Sequence, residues 1–171
     1  MADLRGRERA RYVAHMFGRI SRRYDRLNTV MTAGRHYAWR RLATDLVRTD
    51  RGEGAALDLA TGTGDFAIEL ARRPGISEVA GLDFAPEMLP IARKKTKDKG
   101  LGERVGYLVG DAHELPFPNN TFVAATVGFG VRNFIDVQRA MQEAARVLKP
   151  GGRLAILEIV PLEGQGLLRR L

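Results

Sequence analysis

Cysteine is absent from this chain of 171 residues, which excludes disulfides and thiolate metal sites. Only three histidines occur, His15, His36 and His113. They lack the paired spacing of a zinc-binding helix, so no metal site is expected. No apolar run is long enough to cross a bilayer. Residues 1–10 are charged and have no apolar signal core, so the expected location is the cytoplasm. Acids are scarce at one end. Residues 1–50 carry twelve arginines against five acids, whereas the remainder holds 16 basic and 15 acidic side chains, and the whole chain bears +8.

What is present describes a soluble globular chain. Apolar residues make up 44% and charged residues 28%, enough for one domain with a real core. The basic segment, residues 1–50, reads as a helical region facing substrate or membrane. Its arginines suit anionic headgroups, a nucleic acid or an acidic substrate, although a solvated helix face explains them equally well. Helical spacing of apolar residues predicts helices over 8–18 and 35–48, with a polar loop or short helix over 21–32.

From residue 54 the pattern changes. Short apolar runs at 55–60, 78–83, 105–109, 122–127 and 153–159 alternate with helical stretches near 64–73, 86–99 and 135–148. This alternation predicts an α/β fold over residues 51–171, with a mostly parallel sheet covered on both faces. Pro150-Gly151-Gly152 predicts a turn before the fifth strand.

The strongest local signal is Leu57-Asp58-Leu59-Ala60-Thr61-Gly62-Thr63-Gly64-Asp65-Phe66, where a strand gives way to a helix. Gly62 and Gly64 allow a sharp turn and close approach of a ligand, and the helix start offers free N–H donors. Gly62-x-Gly64-x-x-Ala67 also fits a dinucleotide fingerprint, and Asp83 follows at the spacing of its ribose acid. Charge argues against that reading. A dinucleotide brings an anionic diphosphate to this turn, and Asp58 and Asp65 flank it. S-adenosylmethionine has no phosphate and carries a sulfonium cation, which nearby carboxylates favour. Asp65 also has a plainer reading as a first-turn acid.

Two further acids extend the constellation. Asp83 ends the second strand, where a carboxylate can accept from ribose hydroxyls. Asp111 follows the third strand, where it can accept from the adenine amino group while the Ala112 N–H donates to the ring. Each alone reads as a turn or cap residue, but three acids at the ends of three successive strands lie on the ligand-binding edge of an open α/β sheet.

With these motifs the chain resembles the ubiquinone/menaquinone biosynthesis C-methyltransferases of the UbiE type, within the class I methyltransferases. The resemblance is carried by Tyr24-Asp25-x-Leu27-Asn28-x-x-Met31-Thr32-x-x-x-His36-x-x-Trp39 and by Arg146-Val147-Leu148-Lys149-Pro150-Gly151-Gly152-Arg153-Leu154, continuing to Glu158. Leu115-Pro116-Phe117-Pro118 and Phe129-Gly130-Val131-Arg132-Asn133 match as well, so it runs from about Val13 to Glu158. It implies a Rossmann-like fold, S-adenosylmethionine as cofactor, and methyl transfer to a ring carbon of demethylmenaquinol or a related prenylated quinol. Carried over by position, Thr63, Asp83, Asp111 and Ala112 would contact the cofactor. Gly128 would too, although the family often has Ser there, and Val160 stands where the family tends to have Ser.

A quinol ring carbon becomes nucleophilic when a ring hydroxyl loses its proton, and a cationic or hydrogen-bonding group stabilises the phenolate. Arg132 and Asn133, just past the fourth strand, are the expected groups, with His36 and Tyr24 as alternative proton handlers. Ordinary roles compete: ion pairing for Arg132, helix capping for Asn133, a helix surface position for His36. The family continues beyond the fifth strand with more helices and an antiparallel strand pair, so a truncated form is expected, with the last strands missing. Its sheet edge would be exposed and would pair with a second copy. A prenylated substrate suggests that the basic segment rests on anionic membrane.

Two other classes compete. One is a methyltransferase acting on another small molecule or on RNA. The chain lacks an Asn-Pro-Pro-Tyr type motif after the fourth strand and any cysteine nucleophile, so no nucleic acid partner is expected. The other is a fragment that binds the cofactor without activity.

Overall fold

A computed structural model describes residues 29–47 and 53–159. The expected helix over 8–18, Tyr24, Val160 and most of the N-terminal arginines lie outside the described residues. Among the described residues five strands are present: β1 (Gly54–Leu59), β2 (Ile76–Asp83), β3 (Val105–Val109), β4 (Phe122–Gly128) and β5 (Leu148–Leu157). Four α-helices accompany them in the same residues: α1 (Arg35–Leu46), α2 (Asp65–Ala71), α3 (Leu89–Asp98) and α4 (Val137–Val147). Short 3₁₀ turns cover Pro86–Met88 and Val131–Asn133.

The strands form one sheet in the order β3-β2-β1-β4-β5, every pair parallel. β1 is central because both of its faces are apolar: Ala56, Leu57 and Leu59 are fully buried, as expected of a parallel strand covered on two sides. On one face Phe66, Ala67 and Leu70 of α2 pack with Ala43 of α1 and the adjoining Val47 against Val79, Val105 and Ala124. On the other, Ala140, Ala144 and Val147 of α4 cover Leu57, Leu82 and Val127. Since Ala43 and Val47 belong to this core, α1 is part of the sheet's cover.

The strand order reverses between β1 and β4. The chain leaves β1 toward β2 on one side and returns to pair β4 on the other, which opens a crevice at the carboxyl ends of these strands.

Element ends differ from the sequence expectation for physical reasons. β1 stops at Leu59 because Ala60 takes a left-handed φ of 50°, which leaves the ladder. α4 begins at Val137 because Asp136 caps it, accepting from the Arg139 N–H at 2.9 Å. The Pro150-Gly151-Gly152 turn lies inside β5 instead of before it. Leu148 pairs with Phe122, the register shifts, and Arg153 then pairs with Ala124, with Gly151 at φ 80°.

Candidate functional site

At the carboxyl edge lies a cleft of about 810 Å³, part of it open to solvent, a size that suits a nucleoside-containing ligand. Five of the expected cofactor-binding residues converge there: Gly62 after β1, Asp83 at the end of β2, Asp111 and Ala112 after β3, and Gly128 at the end of β4. Apolar walls come from Phe84, Met88, Phe129, Phe134 and Ile135. Among the described residues no lysine or arginine lines it.

A smaller pocket of about 290 Å³ adjoins the cleft, and Ala60, Gly62 and Gly128 line both. Asp58, Thr63 and Asp65 line the smaller one, together with Arg40. Gly64 lines neither. It caps α2 at φ 83°, and a Cβ there would lie 2.4 Å from the Tyr107 hydroxyl and 3.1 Å from Ala92. Its role is close packing, which only glycine permits at this φ.

The acids do different work from one another. Asp58 is 1% exposed. Its Oδ2 accepts from the Thr61 hydroxyl at 2.6 Å and the Ala67 N–H at 3.1 Å, and its Oδ1 from the Thr126 hydroxyl at 2.8 Å. It therefore staples the glycine loop to α2 and β4. Burial pushes its pKa up to about 7, against the opposing pull of those donors and of Arg40. Asp83 is more directly placed. Its Oδ2 accepts from the Gly62 N–H at 2.6 Å and its Oδ1 from the Ala85 N–H at 2.8 Å, so it fixes the glycine loop while lining the cleft. Burial raises its pKa as well.

Asp111 is more exposed, and its Oδ1 accepts from the His113 backbone N–H at 2.9 Å and pairs with His113 Nδ1. His113 Nε2 accepts from the Asp136 N–H at 3.1 Å. Since Nε2 accepts, the neutral ring carries its proton on Nδ1 and donates it to Asp111. Sequence reasoning gave His113 no role, yet it lines the cleft and ties Asp111 to the cap of α4.

Asp65 does not stand alone as a counter-charge. Lys95 Nζ lies 2.7 Å from its Oδ1 and Arg40 Nη2 3.8 Å from its Oδ2, so two cations answer this acid. Lys95 also donates to the Thr63 hydroxyl at 3.2 Å.

The expected catalytic residues separate. Asn133 lines the cleft. Arg132, beside it, is half exposed and pairs through Nη1 with Glu158 Oε1 at 2.6 Å. His36 is fully buried instead of lying on the helix surface, and it lines neither pocket. Its Nδ1 meets Arg40 Nη1 and its Nε2 lies 3.2 Å from the Thr29 hydroxyl. An arginine always donates, so Nδ1 is the acceptor and Nε2 carries the proton. His36 touches Arg40, which lines the smaller pocket.

Arg40, like His113, has no role in the sequence analysis, yet it lines the smaller pocket. The available signal was a charge on the buried stripe of α1, where His36, Arg40, Ala43 and Thr44 are the helix's buried residues. Its guanidinium carbon sits 5.7 Å from the Phe66 ring centre and 5.3 Å from that of Phe129. Ala60 and Phe129, on facing loops, both hold left-handed φ values of 50° and 58°, a strain that non-glycine residues keep mainly where surrounding structure enforces it.

Comparison with known proteins agrees with this geometry. The ubiE/COQ5 methyltransferase family pattern matches residues 5–168. The chain is 49% identical over 146 residues to a demethylmenaquinone methyltransferase of Thermus thermophilus, covering 85% of this chain and 65% of that protein. It is 44% identical over 156 residues to one of Thermotoga maritima, covering 91% and 65%. A Methanococcus maripaludis structure provisionally described as an S-adenosyl-L-methionine-dependent methyltransferase superposes with a TM-score of 0.65 at 26% identity, over 91% of this chain and 66% of that one. The chain thus spans 65% of the length of these two curated relatives. Its five-stranded parallel sheet is the Rossmann-like core of the class I methyltransferases. A glycine loop held by Asp58 and Asp83, a third acid after β3 and sequence identity along most of the chain lead to one assignment: this chain belongs to the ubiE/COQ5 methyltransferase family.

Proposed function

We propose that the cleft binds S-adenosylmethionine and that the chain serves C-methylation of a prenylated quinol ring, demethylmenaquinol or its ubiquinone-pathway equivalent. The carrying observation is that Asp83 and Asp111 line a largely apolar cleft that, among the described residues, no lysine or arginine lines. That set of acceptors fits the hydroxyls and amino group of an adenosine, and the described lining offers a diphosphate no cationic anchor. The names of the relatives support the quinol substrate.

In this reading Asp83 takes the ribose hydroxyls, and Asp111 with the Ala112 N–H takes the adenine edge. Gly62 lets the ligand lie against the loop, since a Cβ there would meet nothing within 4 Å and would project into open space. Asp58 holds that loop from behind, and Thr63 borders the smaller pocket. S-adenosylmethionine supplies an electrophilic methyl group that leaves sulfur in an in-line displacement. Alignment of the ring carbon is therefore the main task of the protein. Phe84, Phe134 and Ile135 exclude water from the cleft mouth. Asn133 and Arg132 stabilise the phenolate oxygen of the activated ring, with Glu158 holding the guanidinium in place.

A prenylated quinol resides in membrane. Val30, Met31, Tyr37, Leu42 and Leu46 are exposed large apolar residues on the N-terminal described segment, and Arg35 and Arg41 are exposed among them. This mixture supports peripheral contact with anionic lipid. No described helix is long and apolar enough to cross a membrane.

Equilibrium dialysis against S-adenosylmethionine and NAD, followed by transfer of a labelled methyl group to demethylmenaquinol in detergent, tests the proposal. Uptake of the sulfonium compound and a labelled quinol are expected. Tight uptake of NAD with none of the sulfonium compound would refute it.

A further inference from the structure

We propose that His113 sets the base preference of the nucleoside cleft: by engaging one oxygen of Asp111 it leaves the other for the purine, so that the site takes adenine and rejects hypoxanthine. The inference rests on the cofactor reading above and adds to it a positioning residue for the adenine-side acid.

Asp111 needs such a partner. Its side chain is 48% exposed, and an exposed carboxylate just past a strand end otherwise samples several rotamers. The His113 backbone N–H, 2.9 Å from Oδ1, closes a local turn but leaves the carboxylate plane free to tilt. The ring Nδ1 meets the same oxygen, and two donors on Oδ1 fix the plane. Among the described residues nothing donates to Oδ2. An acceptor is thus left over on a residue that lines the cleft.

The ring is itself held by the segment that leads from the cleft wall into α4. The Asp136 N–H donates to Nε2 at 3.1 Å, and Arg139 Nε donates to the His113 carbonyl at 3.1 Å. The Phe134 ring meets it edge-on, with centres 5.9 Å apart. Because the Asp136 N–H occupies Nε2, Nδ1 keeps the proton and can only donate, which suits a carboxylate. The acid that follows β3 is therefore fixed against the segment that follows β4.

Purine chemistry supplies the selection. A carboxylate only accepts and a backbone N–H only donates. Adenine presents a donor at its exocyclic amino group and an acceptor at the adjacent ring nitrogen, matching Asp111 and the Ala112 N–H in turn. Hypoxanthine carries an oxygen in place of the amino group and a hydrogen on that nitrogen, so both matches become oppositions. A carboxylate able to turn could still accept from the hypoxanthine N–H. One held by His113 cannot, and the wrong base leaves polar groups unpaired.

Calorimetry on the full chain with two ligands tests this: S-adenosylhomocysteine, and S-inosylhomocysteine, which differs only in carrying hypoxanthine. Wild type should prefer the adenine compound. His113→Phe keeps a ring but loses the donor, and should lower that preference by about 3- to 10-fold, the range of one hydrogen bond. Retained S-inosylhomocysteine binding reports that the variant is folded. His113→Asn, whose amide can donate from the place of Nδ1, should restore most of the preference. In an Asp111→Ala chain the further change His113→Phe should leave the preference where it stands, because His113 acts through the acid. Equal weakening of both ligands with the preference kept would make His113 a structural residue and overturn the proposal, as would loss of both ligands in the phenylalanine and asparagine variants alike. So would a preference that His113→Phe leaves intact, or shifts as much without Asp111 as with it. Equal uptake of the two ligands by wild type would also overturn it. A wild-type chain that binds neither would remove the cofactor reading itself.

Discussion

Single carboxylates at this site differ through their surroundings. Asp58 faces three protein donors in a dry interior, whereas Asp111 is exposed and answered by His113. The folded pKa of Asp58, about 7, lies above its ordinary value of 3.8. The folded state therefore holds this proton more tightly than the unfolded state does. From this group, stability is greatest at low pH, declines as pH rises from about 4 to about 7, and is level above that. Glu143 acts oppositely: Arg146 and the Leu115 N–H hold its pKa down to about 2 from 4.5, so its contribution is lost as pH falls through that window. Asp58→Asn should flatten the decline between pH 4 and 7, read from urea midpoints across that range. Equal slopes in variant and wild type would refute the assignment. Arg132 is half exposed, so Arg132→Ala should fold normally, lower kcat by about 10- to 100-fold as for loss of an oxyanion donor, and leave cofactor affinity nearly unchanged. A loss of cofactor affinity instead would place Arg132 at the wrong end of the site.

At the scale of elements, the loops after β1 and β4 are fitted to α2. A Cβ at Gly128 would lie 2.4 Å from Phe66 Cε2, and Phe66 is buried beneath the Arg40 guanidinium. A side chain at 128 must therefore push the ring and the cation together. Gly128→Ser should cost about 1–3 kcal/mol as an overpacked site and should weaken cofactor binding. Phe66→Leu in the same chain should recover part of the thermal midpoint by relieving that contact. If Gly128→Ser alone melts like wild type, the ring moves freely and the coupling is wrong. This contact also gives a physical reason for glycine at a position where the resembling family often has serine.

For the whole molecule, the described sheet ends at β3 and β5. Ile156 and Ile159, in and just after β5, are each 50% exposed. Among the described residues no strand pairs with the outer edge of β5, and an open edge strand pairs readily with another chain, so sedimentation velocity should detect a dimer or larger species at micromolar concentration. A single monomer boundary throughout would contradict this. The exposed apolar and arginine side chains of the N-terminal segment predict co-sedimentation with anionic vesicles that weakens as salt rises. Binding that ignores both lipid charge and salt would remove the electrostatic part of the membrane proposal.

Local pattern was enough to determine much of this protein. Alternation of apolar runs with helical stretches yielded all five strands and the helices between them. Glycine spacing with acids at successive strand ends brought Gly62, Asp83, Asp111 and Ala112 to one cleft. These features depend on neighbours in the chain, and a parallel sheet sends every strand end to the same edge. What the sequence did not reveal depended on residues far apart in it. Asp58 was read as a counter-charge for a ligand, yet Thr126, 68 positions away, helps to turn it inward. Asp65 was read the same way, but Lys95 and Arg40 answer it. His36 is expected from the sequence as an alternative proton handler, but the packing of α1 buries it beside Arg40, lining neither pocket. Charge sign is legible residue by residue; which charges meet is decided only when helices from different parts of the chain close over one loop.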